Sequence, residues 1–333
     1  MIAMTRISVI MPVFNGEEYI KKAIESVLSQ SLSDFELIII NDGSTDNTLD
    51  IINGFDDERI RLIDQENKGP GAARNRGIEI VEGEYVMFLD SDDWFCADAL
   101  ETAYAEASKN KTDISIFQII KYDNGNFSLN DWFNLNEFDE TFESRVFDHH
   151  DCRDFLFDIS VSACQKIFKR QFLEKTKARF PEGIYFEDMP FFFYTFLKAE
   201  RISIIKRHLY ARRKHPGSIT ESVDSKFLDT VPAGQILMDI FIENDCYEMY
   251  KFDLLAFKVN GPRYALMGIE DKYKEELYTL IKNDYEEIKA TEYYGDYLEN
   301  LGPVKKKFFE DILKSESYEE FKTLNQTKSS PAE

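Results

Sequence analysis

Apolar positions in the first part of the chain switch repeatedly between a strand period and a helix period. Residues 7–12 form a near-continuous apolar run that predicts a buried strand. Beyond Asn15-Gly16, the positions Ile20, Ile24, Val27 and Leu28 repeat at i, i+4, i+7 and i+8, the apolar stripe of a helix. Glu18 stands three residues after Asn15, a capping-box spacing that reads first as structural. Residues 35–40 predict a second strand, closed by the turn cluster Asn41-Asp42-Gly43-Ser44, and a helix follows through Ile51 and Ile52. Residues 60–63 predict a third strand. Gly69-Pro70-Gly71 then opens a helix, with Pro70 suited to its first turn and Gly83 to its end. Residues 85–89 predict a fourth strand, terminating in Asp90-Ser91-Asp92-Asp93-Trp94.

Strands and helices alternating at this spacing predict an α/β fold with a doubly wound, mainly parallel sheet, each crossover helix covering a face. Ligands on such sheets bind outside the carboxyl ends of the strands. The polar clusters at 12–15, 41–44 and 90–93 are therefore expected on one edge. Residues 114–122 predict a further strand, and the Asn-, Asp- and Phe-rich span 123–139 an irregular insertion or hairpin. A helix-like segment begins near Asp148. After Lys226 the texture turns helical, with Leu277, Ile281, Tyr285 and Ile288 at helix spacing among Glu and Lys. The expected division is a catalytic domain over 1–224, with a nucleotide half near 5–122 and an acceptor half near 123–224, followed by a helical C-terminal region over 225–333. The polar stretch 327–333 reads as frayed.

Charge and composition narrow the partners. The chain has 333 residues, with 40 basic against 62 acidic side chains and a net charge of -22, which repels polyanions and argues against nucleic acid. No stretch approaches the roughly eighteen apolar residues of a spanning helix. The N-terminus lacks the pattern of a secretory signal, so a cytoplasmic location is expected, with peripheral contact to the inner membrane face left open. Cys96, Cys152, Cys164 and Cys246 show no zinc-type spacing and read as free thiols.

Four blocks in order carry a more specific signal: Ile7-Ser8-Val9-Ile10-Met11-Pro12-Val13-Phe14-Asn15, Asn41-Asp42-Gly43-Ser44-Thr45-Asp46, the run from Asn67 through Gly69 and Arg74 to Gly77, and Phe88-Leu89-Asp90-Ser91-Asp92-Asp93. Together they resemble the bacterial family 2 glycosyltransferases of the glycosyltransferase A fold. The residues 165–170, Glu182-Gly183 with Glu187-Asp188, and 210–220 resemble that family's acceptor side. The likeness covers roughly residues 5–220.

The chemistry of sugar-nucleotide transfer fits these residue types. A diphosphate leaving group gathers negative charge, and a divalent ion such as Mn²⁺ or Mg²⁺ neutralises it while needing only one or two protein carboxylates. In extended chain Asp90 and Asp92 share a side. The resemblance implies that Asp92 holds the metal and that Asp90 contacts the ribose or the ion's water shell; alone, the same acids read as a turn capping the helix near Ala97. The resemblance places Asp42 on the ring N–H of a pyrimidine; its plainer reading is an Asx turn. Arg74, one turn into a helix, can reach base or phosphates, or make a surface ion pair. Pro12, Val13 and Phe14 form an apolar wall for the base, although Phe14 equally suits the core, and Gly69 and Ser91 lie within the donor blocks.

Inverting transfer needs one general base for the acceptor hydroxyl. The resemblance implies Asp188 as that base and Glu187 as its assistant, while Asp188 also suits the N-cap of the helix that follows. Lys166 matches a family lysine near the donor sugar, but Cys164-Gln165 stands where Trp-Asn is usual. His215, in the basic stretch from Arg212 to Ser218, is a candidate metal ligand, with Arg212 and Arg213 pairing with phosphate; the alternative is an exposed basic loop.

The expected function is transfer of a hexosyl or N-acetylhexosaminyl group from a nucleotide sugar, a UDP-sugar foremost, to a glycan, lipid-linked or protein-linked hydroxyl in cell-surface glycan assembly. The rival is a catalytically silent sugar-nucleotide-binding or scaffold protein of the same fold. A dinucleotide-binding dehydrogenase is set aside, because the first strand runs into Pro12-Val13-Phe14-Asn15-Gly16 rather than a Gly-x-Gly turn. The aromatic-rich C-terminal region reads as a helical cap, and homo-oligomer formation is left open.

Overall fold

A computed structural model describes residues 5–129, 133–143, 145–215 and 224–326. The first four residues, the tail 327–333 and the end of the basic stretch, Ser218 included, lie outside the described residues. The chain divides into two compact units: Met1–Gly183 with Glu187–Pro216, and Ile184–Phe186 with Gly217–Glu333.

In the first unit β1 (Ile7–Val13) and β2 (Phe35–Asp42) are buried almost throughout, because elements pack on both faces of the sheet and leave no polar side for alternation to mark. Helix α1 (Ile20–Leu28) joins them and buries Ile20, Ala23, Ile24 and Val27. Helix α2 (Thr48–Asn53) leads to β3 (Ile60–Gln65), and α3 (Pro70–Ile78) to β4 (Tyr85–Phe88). These four strands are parallel in the order β3-β2-β1-β4. The order reverses at β1, so the crevice where a ligand settles opens beyond the ends of β1 and β4.

Beyond β4 the sheet becomes mixed. The two-residue β5 (Trp94–Phe95), α4 (Ala99–Asn110), the hairpin β6 (Ile114–Asp123) and β7 (Asn126–Leu129), and β8 (Lys166–Lys169) follow. Next come α5 (Arg170–Thr176), α6 (Asp188–Lys198) and β9 (Ile202–Arg213). β8 runs antiparallel to β4 and β6, while β9 lies parallel to β6 and pairs antiparallel with β5. Where a helix-like segment was expected after Asp148 there are only short 3-10 turns, among them His149–Cys152 and Leu156–Asp158.

Two local expectations are corrected. Gly83 does not end α3, whose C-cap is Glu79. It lies against β1 instead, where a Cβ would stand 2.5 Å from the Ser8 nitrogen. Glu18 makes no capping box with Asn15: α1 begins at Ile20, and the Asn15 side chain instead accepts from the Thr45 N–H at 2.8 Å, joining the ends of β1 and β2.

An aromatic cluster sits under the strand ends. Phe180 stacks on Phe191 of α6 at 3.8 Å, and both meet Phe88 of β4 edge-on. Asn75 of α3 clamps the approach to α6, exchanging two hydrogen bonds of 2.9 Å with the Phe180 backbone. Packing and clamp together bring the start of α6 to the end of β4.

The second unit is helical, as expected: α7 (Thr230–Glu243), α8 (Tyr247–Gly268), α9 (Asp271–Lys289), α10 (Tyr294–Asn300), α11 (Pro303–Lys314) and α12 (Tyr318–Gln326). Lys258 on α8 forms a buried ion pair with Asp284 on α9 at 2.8 Å, and Gln235 of α7 also donates to that acid.

Candidate active site

The acids after β4 form a tight turn, closed by the Asp93 N–H donating to the Asp90 carbonyl at 3.1 Å. None of them caps α4, which starts at Ala99 after Asp98 and has no side-chain cap. The Asp92 carboxylate lies 2.8 Å from Nε2 of His215, whose ring packs on Tyr19 with centroids 4.6 Å apart. Burial, and then the neighbouring Asp90 charge, raise the Asp92 pKa. The structure thus pairs one carboxylate with one imidazole, while the Asp90 carboxylate faces Arg74. Among the described residues no group of three or more His, Cys, Asp or Glu side chains is placed to hold a metal ion.

Asp93 is turned the other way and is 4% exposed. It accepts from the Tyr210 hydroxyl at 2.7 Å and from the Arg213 backbone N–H at 2.6 Å. The Arg213 side chain reaches the Asp92 carbonyl at 2.9 Å and lies over the Tyr19 and Trp94 rings. Arg212 lies over Phe133, 5.3 Å from the ring centre.

Arg74 departs from one of its expected placements. It is buried, so it is no surface ion pair, and its fork is taken up by acids. One amino group donates to Asp90 at 2.9 Å; the other donates to Glu187 and stands 3.8 Å from Asp188. Burial opposes its charge, but Asp188, Asp90 and Glu187 outweigh it and hold its pKa well above the ordinary arginine value. Burial pushes Glu187 up to about 7 against the pull of Arg74, and raises Asp188 as well. Arg74 therefore ties the strand-end acids to the Glu187-Asp188 pair through one planar group.

Asp188 is the first residue of α6 but makes no capping bond. One of its oxygens accepts weakly from the Ala163 N–H at 3.4 Å, and Oδ1 is buried without a hydrogen bond. Lys166 is buried under the segment before β8. It is 1% exposed and donates to the Ser160 and Ser162 carbonyls at 2.7 and 2.8 Å, bracing the turn that carries Ala163. Burial lowers its pKa to about 7.

At the nucleotide side, the buried Asp42 carboxylate accepts from Gln65 at 2.7 Å and from the Lys68 and Gly69 N–H groups at 3.0 and 2.8 Å. Gly69, at φ +87°, is the N-cap of α3, so Asp42 anchors the start of the helix that carries Arg74. These three bonds leave about one of the carboxylate's acceptor sites, enough for a single ring N–H. A cleft of about 540 Å³ opens beside it, lined by Asn41, Gly43, Ser44, Asp64 and Asn67 among others. Val13 is core, Pro12 is half-buried, and Phe14 is 51% exposed at the end of β1, available as an apolar wall. Ser91 faces Gly16 across the β1–β4 crevice, 3.4 Å from where a Cβ on that glycine would sit.

The sequence reading left Asp93 and Tyr210 without roles, because their meeting depends on how β5 pairs with β9.

Residues 8–175 match the family described as Glycosyl transferase family 2. The chain belongs to that family. The glycosyltransferase GlyA of Streptococcus pneumoniae is 32% identical over 67% of this chain, and the chain spans about a third of GlyA's length, 32%. The putative glycosyltransferase EpsH of Bacillus subtilis is 31% identical over 76% of this chain and 74% of its own length. Among solved structures, S. aureus TarS 1-349 in complex with UDP-GlcNAc aligns with a TM-score of 0.70 at 20% identity, over 97% of this chain and 91% of that one. That likeness shows the glycosyltransferase A fold expected from the sequence. Among the described residues no helix is long and apolar enough to cross a membrane.

Proposed function

We propose that this family 2 member is an inverting, divalent-metal-assisted glycosyltransferase that draws on a UDP-sugar. The observation that carries the reading is the Arg74 bridge, which holds Asp90 of the donor-side turn and the Glu187-Asp188 pair on one guanidinium. A transferase needs both at one place: acids for the leaving diphosphate, and a base for the incoming hydroxyl.

Asp188 takes the proton of the acceptor hydroxyl on its carboxylate. The acceptor oxygen then bonds to the anomeric carbon as the bond from that carbon to the diphosphate breaks on the opposite face. Asp188 makes no capping bond to its helix, and the one hydrogen bond it accepts, from Ala163, is long at 3.4 Å. Asp92, with Asp90 and His215 beside it, would hold a Mn²⁺ or Mg²⁺ ion, which supplies positive charge to the departing diphosphate. Glu187 keeps Arg74, and through it Asp90, in register with the base.

The UDP preference is supported by the fold shared with TarS, which was solved with UDP-GlcNAc. The acceptor is a hydroxyl of a glycan, free, lipid-linked or protein-linked, in cell-surface glycan assembly. Screening for nucleotide release from UDP-, GDP- and TDP-sugars, with and without Mn²⁺, tests the donor side. UDP release that requires metal is expected; no response to any nucleotide would leave the silent scaffold as the reading. Asp188→Asn should keep nucleotide binding and lose transfer, and retained turnover would remove Asp188 from the base role.

A further inference from the structure

We infer that Tyr210 is a positioning residue for the donor-side acids, acting through Asp93 and the Asp90 backbone; this rests on the donor-site reading above. Its hydroxyl makes two contacts at once. It donates to the Asp93 carboxylate at 2.7 Å and accepts from the Asp90 N–H at 3.3 Å, so it spans the first and last residues of the Asp90-Ser91-Asp92-Asp93 turn. The Arg213 N–H holds the other Asp93 oxygen at 2.6 Å. With the turn pinned below at both ends, Asp90 and Asp92 are left on its outer side, where Arg74 and His215 meet them.

The placement of Tyr210 comes from an irregularity in β9. Phe117 pairs with Ile205 but Ile119 pairs with Tyr210, so β6 advances by two residues while β9 advances by five. Three extra residues enter β9. An odd surplus reverses which face each later side chain occupies, since strand side chains alternate with period two. Without the bulge the residue opposite Ile119 would be Arg207. With it, Tyr210 arrives opposite Phe95 of β5, packs edge-on against that ring at 5.7 Å, and sends its hydroxyl to the turn.

The roles of Asp90 and Asp92 demand fixed geometry, because charge stabilisation of a leaving group depends on ligands that need not reorganise. A turn with a buried acid pinned at one end is preorganised in this sense. Loss of the Tyr210 hydroxyl frees the Asp90 amide and removes a donor from a buried carboxylate, while the ring and its packing remain.

The test compares Tyr210→Phe with Tyr85→Phe in the full chain. Tyr85 is likewise buried in the sheet, and its hydroxyl donates to the Ala107 carbonyl at 3.1 Å, away from the turn. Hydrogen exchange without nucleotide reads the Asp90 amide directly, and calorimetry reads UDP binding in the presence of Mn²⁺. Tyr210→Phe is expected to speed exchange at residues 90–93 and to weaken metal-dependent UDP binding by about three- to tenfold, the size set by one lost buried hydrogen bond. Tyr85→Phe should do neither at a comparable Tm. Unchanged exchange at 90–93 overturns the pinning. Faster exchange with unaltered UDP affinity overturns its consequence for the acids. If the wild-type chain binds no UDP, the donor-site reading fails and takes the role in donor binding with it, whereas the exchange arm still decides whether Tyr210 holds the turn.

Discussion

Replacing Arg74 with Met tests the bridge most directly. The substitution keeps much of the side chain's apolar length and removes the fork that joins Asp90 to Glu187. The Asp90 side chain is 37% exposed, so water covers much of that loss, but that of Glu187 is 8% exposed and has nowhere to turn. Breaking a buried pair from one side typically costs about 3–5 kcal/mol. Because Glu187 already sits near 7, it escapes part of that cost by taking a proton, which places the expectation near the lower end, about 3 kcal/mol. For a domain of this size each kcal/mol moves Tm by about 2–4 °C, so a drop of about 6–12 °C is expected.

The pH dependence gives the prediction a sign. Without Arg74, the folded-state pKa of Glu187 moves further above its unfolded value. Between the two values the folded chain holds a proton that the unfolded chain has released, so stability falls as pH rises. Between about pH 5 and pH 8 the Tm gap between wild type and Arg74→Met should therefore stay nearly flat at first and widen from about pH 7, where wild-type Glu187 gives up its proton and the variant's does not. Thermal denaturation across that range measures it. A gap below about 2 °C that stays flat with pH would refute the reasoning, since it would mean that no buried acid depends on Arg74. Arg74→Lys should fall between the two, because an ammonium keeps the charge but cannot hold two acids on one plane.

Other outcomes follow from the same geometry. His215→Ala should raise the Mn²⁺ concentration needed for half-maximal UDP release by about tenfold, read from a metal titration; an unshifted curve would reduce His215 to a prop for Asp92. Lys258→Met leaves Asp284 buried in the helical unit with no cation and only the Gln235 amide donating to it, and should cost about 3–5 kcal/mol in urea unfolding, while adding Asp284→Leu should recover most of it. Gly83→Ala puts a Cβ 2.5 Å from the Ser8 nitrogen, where backbone cannot give way, and should cost about 1–3 kcal/mol by thermal melting.

How much was legible in the sequence follows the range of the interactions. The four parallel strands, their helices and the polar clusters at their ends were readable, because hydrophobic period and turn residues act over a few positions. The acids were readable as candidates for the same reason: strand ends are where such a sheet places its ligands. Gly83 was misread because its small size serves a neighbour far away in sequence, not its own helix. Arg74 was placed on the right helix, but its direction was open, since a surface cation and a buried hub share one local pattern.

Alone, the sequence determined the family, the α/β architecture and which carboxylates could serve a sugar nucleotide, since each is written in residue type and short spacing. Tertiary structure alone decided that one guanidinium would join Asp90 to Glu187 and Asp188, residues brought together by the packing of Phe88, Phe180 and Phe191. It also decided that a bulge in β9 would turn Tyr210 onto Asp93. Contacts between residues a hundred positions apart depend on how whole elements pack, and no local pattern encodes that.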